Sequence, residues 1–223
     1  MADTQAVDVP QTLEGWYVLH DVYNVDWTRW RSLDPSAQQA LIREMSGWLA
    51  QATSVEKGDT GLYSVISQKG DLLFLHYRES PEAINQVELA FRKTRFFDYL
   101  KPSYSYFATI ELGLYKLTAM ARRKLAEEGV APGSEAYDRF FEIEMEKQKV
   151  RVQSRLFRKV PDERYLCFYP MNNWRGESVN WYTLGIDEQR DMMRGHGRIG
   201  HKYHETVTQI IGGSVGLDNS SRN

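Results

Sequence analysis

The sequence has a single cysteine, Cys167, among its 223 residues. One cysteine can form no disulfide within the chain, and no CxxC pair is present to hold a structural metal ion. Because Cys167 stands in the apolar run "YLCFYP", we expect a buried, reduced thiol with a packing role.

The sequence also lacks long apolar runs and an excess of either charge. No run of about 18 apolar residues occurs, so we predict no membrane span. The opening residues, "MADTQAVDVPQTLEG", lack the basic and then apolar pattern of a secretory signal. With a formal net charge of -2, no broad basic surface for nucleic acid is indicated. We therefore expect a cytoplasmic protein that binds no nucleic acid.

The first half of the chain has the pattern of a β-α-β-β-α-β unit, which is the ferredoxin-like order. Aromatic and β-branched residues indicate the strands, and apolar residues at helical spacing indicate the helices. His20 and His76 fall in predicted strands, where we expect packing or surface roles. The predicted elements are a strand over 15–23, a helix capped by Asp34 with Pro35 first, a hairpin over 61–80, a helix from Pro81 to about Tyr99, and a strand over 103–115.

The pattern of the second half predicts the same order again, after a charged helical connector. We predict a strand over 164–171, a helix over 186–203 capped by Asp187, and a strand over the β-branched run 206–211. The sequence then stops before a last helix and strand, so we expect a second unit that is short at its C-terminus. The predicted organisation is a flexible leader, a first unit, a connector and an incomplete second unit, at 1–12, 13–118, 119–160 and 161–223.

Three of the five histidines lie close together in "MRGHGRIGHKYHETVTQIIGG", at His196, His201 and His204. Together they could form a zinc site, although no HExxH motif is present. Alternatively, His196 with a glycine on each side could be an axial ligand of haem iron, since a flat macrocycle needs small neighbours. A third interpretation makes His196 a capping residue at the end of a helix, with the glycines as helix breakers.

Several motifs in the second half resemble those of the coproheme decarboxylases, in the chlorite dismutase-like haem protein superfamily. They are "YPM", "NWY", "MMRGHGRIGHKY" and "QIIGGSVG", which occur in the family's order and spacing. The first-half segment "LEGWYVLHDVYNVDWTRW" is similar to the family's opening strand, and the resemblance covers about residues 12–218.

The resemblance implies a fold and a reaction. The fold is a pair of ferredoxin-like units in a chlorite dismutase-like dimeric α+β barrel, usually within a pentamer. The reaction decarboxylates two propionates of iron-coproporphyrin III (coproheme) with hydrogen peroxide, giving haem b. Coproheme is then both substrate and redox cofactor.

The resemblance also implies roles for individual residues. His196 matches the proximal iron ligand, and Tyr169 matches the tyrosine that becomes a radical near the reacting propionate. Gln209 matches the polar residue on the distal side, where chlorite dismutases have an arginine that steadies an anionic oxygen species. The remaining matches are Arg155 as a propionate-binding residue, and Met171 and Trp181 beside the porphyrin.

The separation of His196 and Gln209 gives a structural expectation. They are 13 positions apart, a separation of about 20 Å in a continuous helix, which is too far for them to serve opposite faces of one haem. We therefore predict that the helix ends near Tyr203 and that residues 206–211 turn back.

The sequence departs from the family pattern at Asn173, where a lysine usually assists the second propionate. Arg175 follows two residues later and is a candidate replacement. Four functions follow from the sequence: an active decarboxylase, a porphyrin-binding protein without turnover, a chlorite dismutase-like peroxidase, and a structural module without haem.

Overall fold

The computed structural model describes residues 11–215, which form an α+β structure around one five-stranded sheet. The strand order in this sheet is β2-β3-β1-β4-β5. The strands are β1 (Thr12–Val25), β2 (Gly58–Ser64), β3 (Leu72–Arg78), β4 (Leu100–Gly113) and β5 (Gly212–Ser214). The helices are α1 (Trp27–Arg31), α2 (Pro35–Thr53), α3 (Pro81–Arg92), α4 (Tyr115–Glu127), α5 (Glu135–Leu156) and α6 (Ile186–His201), with short 3-10 helices at Arg95–Tyr99 and Trp181–Thr183.

The first half confirms the predicted ferredoxin-like order. β3 pairs antiparallel with both β1 and β2, with Val18 opposite Tyr77 in the first pair. Asp34 caps α2, since its carboxylate accepts hydrogen bonds from the backbone N–H of Ser36 at 2.9 Å and of Ala37 at 3.0 Å.

The helix predicted to reach Tyr99 ends earlier, at Arg92. Thr94 stops it, because its hydroxyl and its backbone N–H both donate to the carbonyl of Phe91, at 2.8 and 2.9 Å. A 3-10 helix over Arg95–Tyr99 follows and leads directly into β4.

The main core lies between the sheet and helices α2 and α3, and it is built largely from aromatic rings. Trp48 stacks on Phe91 with ring centroids 4.4 Å apart, and Phe74 meets Phe91 at 4.6 Å. Phe74 is completely buried. Aromatic side chains bury large areas and favour stacked or edge-on pairs, so this cluster fixes both helices on the sheet.

The chain divides into two compact units. The sheet unit comprises residues 15–110, 155–167 and 212–215, and it contains the aromatic core. The helical unit comprises residues 11–14, 111–154 and 168–211. Within the helical unit, α4 and α5 share a small core of Ala121, Leu125 and Phe141, and α6 packs against α4.

The second half corrects several expectations. The predicted strands over 164–171 and 206–211 are wrong, because both segments are irregular and carry exposed side chains. A strand requires a hydrogen-bonded neighbour, and the residues of this region that join the sheet are Gly212–Ser214, on β4. Cys167 is exposed rather than buried, since its apolar segment enters no sheet.

The charged connector is helical, as predicted: it contains α5 and most of α4, which begins before it at Tyr115. Gly129 and Gly133 in the turn between them have φ values of +70° and +76°, which side chains rarely adopt. Within residues 11–215, no helix is long and apolar enough to cross a membrane.

Candidate functional site

Helix α6 carries His196, the predicted iron ligand. It begins one residue before the predicted cap, because Gly185 is the N-cap and its N–H donates to the Glu188 carboxylate at 3.2 Å. Asp187 and Glu188 place negative charge in the first turn, where it interacts favourably with the positive end of the helix dipole. Ile186 and Gln189 form the buried side of the helix.

A stripe of exposed apolar side chains surrounds His196 on α6. Met192 lies one turn before His196 and Ile199 one turn after it, on the same face of α6, and Tyr203 follows in the turn after the helix ends. These three side chains are 58%, 59% and 58% exposed, and His196 is exposed among them. We call Met192, His196, Ile199 and Tyr203 the His196 stripe. Contiguous exposed apolar surface of this kind marks a binding surface.

The glycines beside His196 leave open space at the stripe. A Cβ atom added to Gly195 or Gly197 would meet no described atom within 4 Å. Glycine inside a helix costs about 1 kcal/mol relative to alanine, and no packing contact within residues 11–215 requires it at these two positions. Because both glycines lack a side chain, the space next to the imidazole on the helix surface is open.

Gln209 returns to the end of the same helix. α6 ends at His201, and the N–H of Val207 donates to the carbonyl of Tyr203 at 2.8 Å in the turn that follows. A Cβ atom on Gly200 would lie 3.4 Å from the side-chain oxygen of Gln209. The predicted end of the helix near Tyr203 is thus confirmed, whereas the predicted return of 206–211 as a strand is wrong. In this arrangement Gln209 contacts the helix of His196.

A tight turn stands at the other end of the stripe. The N–H of Trp181 donates to the carbonyl of Trp174 at 2.9 Å, and the N–H of Gly176 donates to that of Val179 at 2.8 Å. We call residues 174–182 the Arg175 turn, because the Arg175 guanidinium lies 4.1 Å from the centroid of the Tyr182 ring.

Gln189 anchors the Arg175 turn to α6. Its side-chain N–H group donates to the carbonyls of Trp181 and Leu184, at 3.2 and 3.1 Å. The side-chain oxygen of Gln189 is buried and has no hydrogen-bond partner among residues 11–215. The half-buried Trp181 ring also packs edge-on against Tyr115 of α4 at 6.3 Å. These contacts fix the turn within the helical unit.

Other predicted site residues are exposed and lie apart from these contacts. Tyr169 and Met171, 55% and 67% exposed, lie in the irregular segment before the turn. Within the described chain, neither makes a hydrogen bond or ring contact with His196. Arg155 is exposed in the last turn of α5 and belongs to the sheet unit.

The zinc interpretation of the histidine segment finds no support. Residues 11–215 contain no group of three or more His, Cys, Asp and Glu side chains that could hold a metal ion. His201 and His204 stack on each other with ring centroids 4.5 Å apart, and His204 Nδ1 lies 2.7 Å from the His201 carbonyl oxygen. Helical spacing places His201 on a different side of α6 from His196.

Sequence reasoning missed the apolar part of the stripe and the Arg175–Tyr182 contact. Counting three and four residues in each direction from His196 would have found Met192 and Ile199. No local pattern would have paired Arg175 with Tyr182, because that contact depends on how the turn folds.

Comparisons with known proteins identify the family. Residues 38–221 match the family model described as chlorite dismutase. A protein of Halobacterium salinarum, named as a candidate heme-binding protein, is 35% identical over 216 residues, or 95% of this chain. The chain spans 40% of that relative's length.

Two solved structures are similar to this chain. A heme-binding protein from Thermus thermophilus is similar, with a TM-score of 0.77 and 33% identity over 96% of this chain and 77% of its own. A variant of the chlorite dismutase from Candidatus Nitrospira defluvii has a TM-score of 0.58 over 92% of this chain and 73% of its own. At 18% identity, this second likeness shows the fold alone.

Proposed function

Because the chain belongs to the chlorite dismutase family, we propose that it binds an iron porphyrin with His196 as the iron ligand. The observation that carries this proposal is the His196 stripe, in which an exposed imidazole is set among exposed apolar side chains. Relatives from Halobacterium salinarum and Thermus thermophilus, named for haem binding, support the same ligand class.

The residues around His196 fit a porphyrin chemically. A neutral imidazole is a normal axial ligand of haem iron, and the apolar side chains match the face of the macrocycle. The glycines on each side of His196 leave room for a flat ligand to approach the helix backbone. Met171 and Trp181 are proposed porphyrin contacts, and Arg155 is a proposed propionate contact.

We further propose that the ligand is iron-coproporphyrin III and that the reaction gives haem b. In the net reaction, each reacting propionate, one proton and one hydrogen peroxide give a vinyl group, carbon dioxide and two waters, so that the propionate is oxidised and the peroxide reduced. The bound iron porphyrin supplies the redox chemistry. Tyr169 is proposed to relay one electron and one proton through its phenol, a role that its exposed side chain permits.

Gln209 favours decarboxylation over chlorite chemistry. Its neutral amide stands where chlorite dismutases have an arginine, so this residue supplies no cation to steady an anionic oxygen species. This difference supports the proposal that the ligand is coproheme.

An absorbance titration with iron-coproporphyrin III tests the binding step. We expect a Soret band that shifts on binding to the wild-type protein and is lost in His196→Ala. His204→Ala is the matched control, since His204 is also exposed and lies after the end of α6. Equal titrations for wild type and His196→Ala would refute the ligand assignment.

Mass spectrometry after addition of peroxide tests the reaction. We expect the loss of two carboxyl groups from the porphyrin, and Tyr169→Phe should stop this loss while binding persists. Binding with no loss of carbon dioxide would refute the decarboxylase assignment.

A second candidate is a porphyrin-binding protein without turnover. Asn173 favours it, because an amide replaces the lysine that usually assists the second propionate. The peroxide experiment separates the two candidates, since this one predicts an unchanged porphyrin mass. A stop after one decarboxylation would assign the effect to Asn173.

A further inference from the structure

Arg175 is an exposed cation that an aromatic ring holds in place. Its guanidinium lies 4.1 Å from the centroid of the Tyr182 ring, and Tyr182 is itself 46% exposed. An arginine stacked on an aromatic face keeps its N–H edges available for a bidentate partner. Within the described chain Arg175 forms no salt bridge, and Glu177 of the same turn is not paired with it.

The backbone of the Arg175 turn presents this cation rigidly. Arg175 and Asn180 form a bridge across the turn, and the Asn180 side chain accepts a hydrogen bond from the N–H of Tyr182 at 3.0 Å. Gly176 is required for close packing, because a Cβ atom there would lie 2.4 Å from the indole nitrogen of Trp174. The backbone that carries Arg175 is therefore held by contacts within the turn.

The turn is attached to the face of α6 that carries His196. Gln189, which binds the carbonyl of Trp181 at 3.2 Å, precedes His196 by seven residues, or two helical turns. That separation is about 10 Å along the helix at about 1.5 Å per residue. A ligand with a flat apolar centre at the His196 stripe and acidic groups at its edge would match this arrangement of one imidazole and one displaced cation.

We propose that Arg175, positioned by Tyr182, binds a carboxylate of the ligand that is held at His196. This inference rests on the proposed function and adds a carboxylate-recognition residue to it. Arginine suits this role because its planar fork matches a carboxylate with two parallel hydrogen bonds. Arg175 thus compensates for the amide at Asn173, from a position two residues further along the chain.

Absorbance titrations of the full chain test this role without relying on turnover. The probes are iron-coproporphyrin III and its tetramethyl ester, in the same detergent, because the ester retains the ring and the iron but has no carboxylates. Arg175→Gln should weaken binding of the acid about ten-fold and leave binding of the ester unchanged. Arg175→Lys should recover part of the affinity for the acid.

Tyr182→Leu tests the positioning separately. It keeps the cation and removes its aromatic support, so we expect a loss for the acid that is smaller than that of Arg175→Gln and again none for the ester. Lys124→Gln is the matched control, because Lys124 also stacks on an aromatic ring, that of Phe140 at 5.2 Å, within the helical unit. It should bind both probes like the wild type.

The outcomes distinguish this inference from the proposed function. If the wild type binds both probes through His196 and Arg175→Gln weakens neither, or weakens both equally, the role of Arg175 is refuted and porphyrin binding stands. If the wild type binds neither probe, both proposals are refuted. Tyr182→Leu gives an independent result should Arg175→Gln fail to fold.

Discussion

Buried His76 makes the sheet unit sensitive to acid. His76 is 1% exposed, and its Nδ1 lies 3.0 Å from the hydroxyl oxygen of Thr60. Arg78 donates to the same oxygen at 3.1 Å, so the Thr60 hydrogen is left for donation to the imidazole. His76 is therefore held neutral. Burial, and then the positive charge of Arg78, lower the pKa of His76 from 6.5 to about 3.

The sign of the effect follows from proton binding. Between pH 6.5 and about 3 the unfolded chain binds a proton at residue 76 that the folded chain does not bind. The stabilisation is fully present above pH 6.5 and is lost as the pH falls toward 3. The difference between 6.5 and about 3 corresponds to about 5 kcal/mol at about 1.36 kcal/mol per pH unit.

The measurement compares wild type with His76→Phe, which keeps a ring between Trp48 and Phe74 but cannot titrate. Urea unfolding is followed by fluorescence at pH 4, 5 and 6. The unfolding free energy of wild type should fall by about 1 kcal/mol more per pH unit than that of the variant. The difference between wild type and variant removes the contributions of other titrating groups. One of these is Asp21: burial raises its pKa to about 6, which has the opposite effect on stability.

Thr60→Val is the control for this experiment. It removes the hydroxyl next to the imidazole and keeps His76, so it should lower stability at every pH. Stability should still fall toward low pH, because burial and Arg78, the main causes of the lowered pKa of His76, remain. If wild type and His76→Phe lose stability in parallel between pH 6 and 4, the assigned protonation state of His76 is wrong.

Three substitutions test other parts of the structure. Asp34→Ala removes the cap of α2 and should cost about 1 kcal/mol by urea unfolding; an unchanged midpoint would contradict the cap. Gly15→Ala places a Cβ 2.1 Å from the backbone oxygen of Leu156 and should be strongly destabilising. In its control, Gly47→Ala, the added Cβ meets nothing within 4 Å, so this substitution should stabilise α2 by up to about 1 kcal/mol. Gly195→Ala should likewise raise thermal stability yet weaken porphyrin binding in the Soret titration, and a variant that binds as tightly as wild type would show that the space beside His196 is not used.

Local signals in the first half were sufficient to predict the order of its main elements. Asp34 followed by Pro35 specified the start of α2, and both the cap and the helix are present. Aromatic and β-branched residues predicted β1 and β3, and the two strands pair with each other. These elements pack on one another, so the structure that the sequence pattern predicts is also the one that their packing stabilises.

The predictions for the second half failed where a segment needed a distant neighbour. The run around Cys167 has the composition of a strand, yet Tyr165 is 75% exposed and no strand forms there. The composition of a segment shows that its side chains are suited to burial in a sheet. Whether they are buried depends on a neighbouring strand with which the segment can pair. The site shows the same limit, since the His196 motif was readable and the Arg175–Tyr182 contact was not.

The division of the chain into two units also divides its fluorescence. Four of the six tryptophans lie in the sheet unit and two in the helical unit: Trp16, Trp27, Trp30 and Trp48, then Trp174 and Trp181. Replacing either set with phenylalanine leaves emission from one unit. Each unit then has its own intrinsic optical probe, so the order in which the two units lose structure can be followed without any attached dye.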